Sequence, residues 1–187
     1  NKTGSLLIFD EIQTGLGRTG SLFAFQKTSV YPDILLSGKA LGGGMPLAAL
    51  ITSKQLMVHF MRQPALSYIS TFGGHPVSCA AGYASLKVLF EEKILEEVEL
   101  RKDLMIKILH APAIIEVRSA GLLMAIEFNN ESLVWTLINR LYHKNILVES
   151  FLFCPSALRI APPLNIPIPI LEKTCQTIIE TINELNT

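Results

Sequence analysis

The chain has 187 residues, 49% of them hydrophobic, enough to bury a substantial core in one or two compact units. Its 16 basic residues balance 16 acidic ones, which leaves no overall field to attract nucleic acid or an anionic membrane. Pro46, Pro64 and scattered charges interrupt each apolar run short of bilayer length, and Cys79, Cys154 and Cys175 are odd in number and far apart; a cytoplasmic protein with reduced thiols is expected. The opening Asn1-Lys2-Thr3-Gly4-Ser5 leads straight into an apolar segment with no signal-peptide pattern. A start this committed to structure leads us to expect the C-terminal part of something longer.

Ser5–Phe9 is a continuous apolar run ending in Asp10-Glu11, the profile of a strand buried on both faces of a parallel sheet. A glycine-punctuated loop, Gly15-Leu16-Gly17-Arg18-Thr19-Gly20, follows it. Asp33–Ser37 reads as a second buried strand and Leu47–Thr52 as a third, with a glycine run between them. Beyond Pro76 the spacing turns helical, over Val77–Glu92 and Lys93–His110. Ile114–Ser119 and Leu122–Phe128 then read as strands about a turn at Gly121, and Leu133–His143 as a helix. Ile146–Glu149 and Leu158–Ala161 read as extended, Pro162-Pro163 forbids helix, and Ile170–Leu185 is a last amphipathic helix. We place a domain boundary near residue 78, giving an α/β unit over 1–77 and an α+β unit over 78–187.

Two residues carry the chemistry. Lys39 follows an apolar strand directly and precedes Gly42-Gly43-Gly44. A lysine amine becomes a nucleophile for Schiff-base formation when desolvation or a neighbouring cation lowers its pKa. The glycines allow positive φ and close approach of backbone to a ligand. Asp10 ends a buried strand, where a carboxylate is costly without a partner; a pyridinium nitrogen is one such partner. Each residue alone also fits an ordinary strand end, and Glu11 is read as structural or solvated. Gly15-x-Gly17-x-x-Gly20 matches the dinucleotide fingerprint in letters only. Four residues separate it from the strand, no clean helix start follows, and Asp33 precedes its strand instead of ending it, so that reading is rejected.

Asp10, Gln13, the Gly-Arg-Thr-Gly run, Lys39 with its glycines, Ser70-Thr71-Phe72-Gly73-Gly74 and Leu158-Arg159-Ile160-Ala161-Pro162-Pro163 occur in that order. Together they resemble the class III aminotransferases, the ornithine, acetylornithine and ω-amino-acid group of fold-type I pyridoxal 5′-phosphate (PLP) enzymes. The most specific stretch is Phe9–Gly20. The resemblance implies the C-terminal part of a fold-type I large domain followed by a small α+β domain. It implies that Asp10 pairs with the pyridine nitrogen, that Gln13 lies near the ring hydroxyl, and that Lys39 links to PLP and then shuttles a proton. It implies that Thr71 reaches the cofactor phosphate of the neighbouring subunit, hence a homodimer, and that Arg159 grips a substrate carboxylate.

The expected reaction moves an amino group from an amine or ω-amino acid donor to a 2-oxo acid. A decarboxylase or aminomutase of the same family, and a non-catalytic dimerisation or scaffold module, are the alternatives. The family's N-terminal half, with its phosphate-binding turn and ring-stacking aromatic, is absent from these residues, so weak PLP binding and little turnover are expected of this chain alone. His59, His75, His110 and His143 show no ligand spacing, and no metal is expected. His75 and Arg18 are read as local structural residues, Arg18 as a loop anchor.

Overall fold

A computed structural model describes residues 3–62 and 69–185, which leaves Asn1 and Pro64 outside the described residues. Contacts separate it into one unit of Asn1–Gly17 and Ser21–Lys93 and another of Arg18–Gly20 and Ile94–Thr187.

The first unit is built on strands β1 (Ile8–Asp10), β2 (Ile34–Ser37) and β3 (Ala49–Thr52) in the order β1-β2-β3. β1 runs parallel to β2 with Ile8 opposite Ile34 and Asp10 opposite Leu36, and β3 runs antiparallel to β2. Asp33 anchors the start of β2: its Oδ2 accepts from the Leu7 amide at 2.8 Å, and its carbonyl accepts from the Thr52 hydroxyl at 2.7 Å. That structural duty agrees with rejecting it as a ribose-binding acid. The central strand buries Ile34, Leu35 and Ser37. The expected two-sided burial of Ser5–Phe9 does not hold. Leu6 and Ile8 are each 53% exposed, and β1 pairs with β2 alone among the described strands; Phe9 is half-buried, its ring near that of Phe25.

Two helices complete this unit, α1 (Lys54–Arg62) and α2 (Pro76–Glu91). The first was not anticipated. Ser53 starts it, its Oγ accepting from the Leu56 amide at 3.3 Å, a side-chain cap visible in the sequence as a serine three residues ahead. α2 falls on the near side of the division between Lys93 and Ile94. The reason is close packing of glycine. A methyl group on Gly82 would meet the Leu41 carbonyl at 2.6 Å, and one on Gly43 would meet the Ala81 carbonyl at 2.6 Å. The helix backbone therefore rests on the turn that follows Lys39.

The second unit contains α3 (Ile94–Ile108), β4 (Glu116–Ala120), β5 (Leu123–Glu127), α4 (Glu131–His143), β6 (Glu149–Phe151), β7 (Cys154–Ile160) and α5 (Ile168–Glu184). Its sheet runs β4-β5-β7-β6, antiparallel throughout. Val98 and Met105 from α3, Met124 and Ile126 from β5, Val134, Leu137 and Leu141 from α4, Leu158 from β7 and Ile178 and Ile182 from α5 form one fully buried cluster. Asn130 starts α4 by accepting from the Leu133 amide at 2.8 Å, which moves the helix start ahead of the expected Leu133. β7 begins earlier than expected, at Cys154, because Cys154 already pairs with Phe151 of β6, while β5 joins only from Ala157 onward. Among the described residues no helix is long and apolar enough to cross a membrane.

Candidate active site

The parallel pairing of β1 and β2 decides where the first unit puts its chemistry. Both strands finish at the same edge, so Asp10, opposite Leu36, and Lys39, three residues beyond Leu36, emerge from adjacent carboxyl ends. Ligands in open α/β sheets gather at such edges. Asp10 is exposed, and its Oδ1 accepts from the Ile12 amide at 3.0 Å, turning the chain toward the exposed Gln13. Lys39 is exposed and opens a 3-10 turn, Lys39–Gly42, closed by the Leu41 amide donating to the Gly38 carbonyl at 2.9 Å. Its φ is +45°, a left-handed conformation uncommon for a side-chain-bearing residue. Backbone of this kind clusters where a side chain must be aimed rather than merely accommodated.

Behind these two residues the loop is locked. Glu11 is 3% exposed, and its carboxylate accepts from the Ala24 amide at 2.8 Å, the Phe25 amide at 2.7 Å and the Thr14 hydroxyl at 2.7 Å. Of the two roles allowed for Glu11, the structural one is observed: it satisfies the start of the 3-10 turn Ala24–Lys27. That single turn takes the place of the long helix a dinucleotide site would require. Phe9, Phe23 and Tyr31 gather around Phe25 at the same turn, with ring centroids 6.1 to 6.3 Å from its own.

Arg18 acts as the loop anchor expected of it, within the second unit. Its Nη1 donates to the carbonyls of Leu122 at 3.1 Å and Pro162 at 2.6 Å, and burial holds its pKa below the ordinary arginine value. Opposite it Gly121 adopts φ +56°; a methyl group there would sit 2.5 Å from the Thr19 carbonyl carbon. Thr71 lies in the first unit, exposed in a turn spanning residues 71–74 ahead of α2. His75 precedes α2, and its backbone carbonyl accepts from the Cys79 amide at 2.9 Å.

Arg159 lies in the second unit, on β7, between Ala125 of β5 and Glu149 of β6. Its Nη2 forms an ion pair with Glu149 Oε2. Nothing in the sequence singles out Glu149, because its alignment with Arg159 depends on the irregularity between Ser150 and Phe151 in the hairpin. The first unit holds Asp10, Gln13, Lys39 and Thr71 in its sequence, with Asp10 and Lys39 at neighbouring strand ends, and the second holds Arg159. Among the described residues no group of three or more His, Cys, Asp or Glu could hold a metal ion. A carboxylate and a primary amine at one sheet edge can hold an aromatic ring nitrogen and condense with a carbonyl, and a guanidinium can grip a carboxylate.

Comparison with known proteins supplies the context. The family described as aminotransferase class-III matches residues 1–182. The putrescine aminotransferase of Pectobacterium atrosepticum is 36% identical over 193 residues, covering 100% of this chain and 41% of that protein. Ornithine aminotransferase from Toxoplasma gondii, in a structure described as showing partial PLP occupancy at its active site, superposes with a TM-score of 0.89 at 32% identity, covering 99% of this chain and 44% of that one. Acetylornithine aminotransferase from Elizabethkingia anophelis gives a TM-score of 0.85 at 37% identity, covering 98% and 47%. The chain spans under half the length of each of these relatives.

Proposed function

We propose a function from one premise: the chain belongs to the class III aminotransferases, which are PLP-dependent enzymes of fold type I. It is the C-terminal part of an aminotransferase that moves an amino group from an amine or ω-amino acid donor to a 2-oxo acid. The observation that carries this reading is the emergence of Asp10 and Lys39 from the carboxyl ends of two adjacent parallel strands, with Lys39 held at positive φ.

The residues present fit the cofactor. Asp10 commits one oxygen to the Ile12 amide and keeps an exposed second oxygen for an aromatic N–H. Lys39 presents an exposed primary amine for a carbonyl carbon. When bound, PLP supplies an electron sink for charge that develops at the substrate carbon. Asp10 keeps the ring nitrogen protonated by accepting its hydrogen bond. Lys39 would hold the cofactor through Nζ, and its amine would serve as the base that moves a proton at the substrate carbon. Gln13 lies by the ring hydroxyl, Thr71 donates its hydroxyl to a phosphate bound by the neighbouring subunit of a homodimer, and Arg159 holds the substrate carboxylate through its planar fork.

The exposed apolar residues of β1 and the share of each relative covered support a further part of the proposal: this chain by itself binds PLP weakly and turns over little. Adding PLP and following visible absorbance tests the function. A new band in wild type that disappears in Lys39→Ala is expected; identical spectra would remove the proposal. A rate of amine transfer typical of enzymes from this chain alone would refute its low activity.

A further inference from the structure

Helix α2 carries apolar side chains on two opposite sides. From Pro76 to Leu86 it has no charged residue, and its charges, Lys87 and Glu91, both near its end, pair with each other at 3.6 Å. One side, with Ser78, Gly82 and Leu89, is buried, and Gly82 rests on the Leu41 carbonyl. On the other side Val77, Ala80, Ala84 and Val88 follow at steps of three and then four residues, which sets them in a single line along the helix. All four are exposed, and Tyr83, flanking them, is 71% exposed. A helix that faces water turns a polar side to it, whereas one that is apolar all round is buried. The outward line of α2 is a surface made to be covered.

We infer that a second copy of this chain covers it, with α2 of one copy packing on α2 of the other; this rests on the reading of Thr71 given above. Two features point to a copy. The line carries no charge, so two copies meet across a two-fold axis without setting like charges against each other, and the alanines at its middle leave room for close helix packing. The line also continues from the turn over residues 71–74, where Thr71 is exposed and Phe72 is 78% exposed. A hydroxyl that donates to a phosphate held by the neighbouring subunit must lie where the two subunits meet, and α2 starts five residues after it. The contact that buries the apolar line thus delivers Thr71, and each site is finished by the other copy.

Sedimentation equilibrium of the full chain without PLP tests this. Wild type is compared with Ala84→Glu, with Ile8→Glu at the exposed edge of β1 and with Leu147→Glu in the second unit, after circular dichroism has shown that each keeps the fold. Ala80→Glu stands in if the first of these does not. The inference predicts a wild-type dimer, and dimerisation weakened roughly a hundredfold or more by Ala84→Glu, because the two-fold contact buries the new carboxylate without a partner. Ile8→Glu and Leu147→Glu should dimerise as wild type does. A monomer at every concentration, a dimer that Ala84→Glu leaves intact, or one that Ile8→Glu abolishes overturns it. The PLP spectrum separates this from the proposed function. A monomer that still shows the Lys39-dependent band sinks the interface alone, whereas an α2-dependent dimer without that band refutes the function, and the delivery of Thr71 with it.

Discussion

The two units of this chain are built to different standards of closure. The second buries Val98, Met105, Leu122, Met124, Ile126, Leu137, Leu158 and Ile178 completely, in a layer of helices on a four-stranded sheet. The first buries Leu16, Ile34, Leu35 and Leu89, and leaves Leu6, Leu7, Ile8, Leu50 and Ile51 facing out of a three-stranded sheet. Yet the first unit carries Asp10 and Lys39. Candidate chemistry and closure are separated: the unit with a finished core carries the carboxylate-binding candidate, and the unit carrying Lys39 presents apolar strand faces. An exposed edge of this kind is a pairing surface until something blocks it.

The comparison can be broken by mutation. Phe128→Ala, which empties a side chain 1% exposed in the second unit, is expected to cost about 3–5 kcal/mol in urea unfolding of the chain. A smaller loss than that of any first-unit variant would erase the contrast. Next in size is Glu11→Ala, which strips partners from the Ala24 and Phe25 amides and is expected to cost about 1.5–3 kcal/mol. Hydrogen exchange should show those two amides losing protection first, and unchanged protection would mean the turn holds by other contacts.

How much of this was legible in advance depends on the range of the forces involved. Short-range signals were readable. The apolar run 34–36 is β2, Gly121 is the turn between β4 and β5, and the helical spacing after Pro76 is α2. Asp10 and Lys39 could be placed at strand ends because a buried parallel strand has a recognisable apolar profile, and the joint match to a family gave them a role. What depends on distant partners was not readable. The exposure of Ile8 depends on which elements flank β1, the packing of α2 on backbone contact at Gly43 and Gly82, and the Arg159–Glu149 pair on hairpin register. α1 was missed although Ser53 announced its start, because the helix that follows is short and mostly exposed.

Smaller effects sharpen the same contrast. Leu50→Ala, at a first-unit position 41% exposed, should cost no more than about 1 kcal/mol, and a larger value would show that this sheet is better packed than its exposure indicates. A separate effect is alkaline. Burial pushes the Cys175 thiol up from 9.0 to about 11. Between those values the unfolded chain gives up the proton that the folded chain retains. The folded state then binds more protons, so stability is fully present below about pH 9 and falls as pH rises toward about 11. Urea midpoints at successive pH values should show that decline in wild type and less of it in Cys175→Ala; equal slopes would assign the decline to other groups.

Lys39 decides the account. Incubating the chain with excess PLP, reducing with borohydride and mapping the modified peptides reads covalent linkage directly, even where affinity is low. The account predicts the reduced adduct concentrated on Lys39, and lost from that peptide when Asp10→Ala removes the ring-nitrogen partner. An adduct spread evenly over Lys27, Lys54, Lys87 and the other exposed lysines, with Lys39 no more modified than they are, would contradict it.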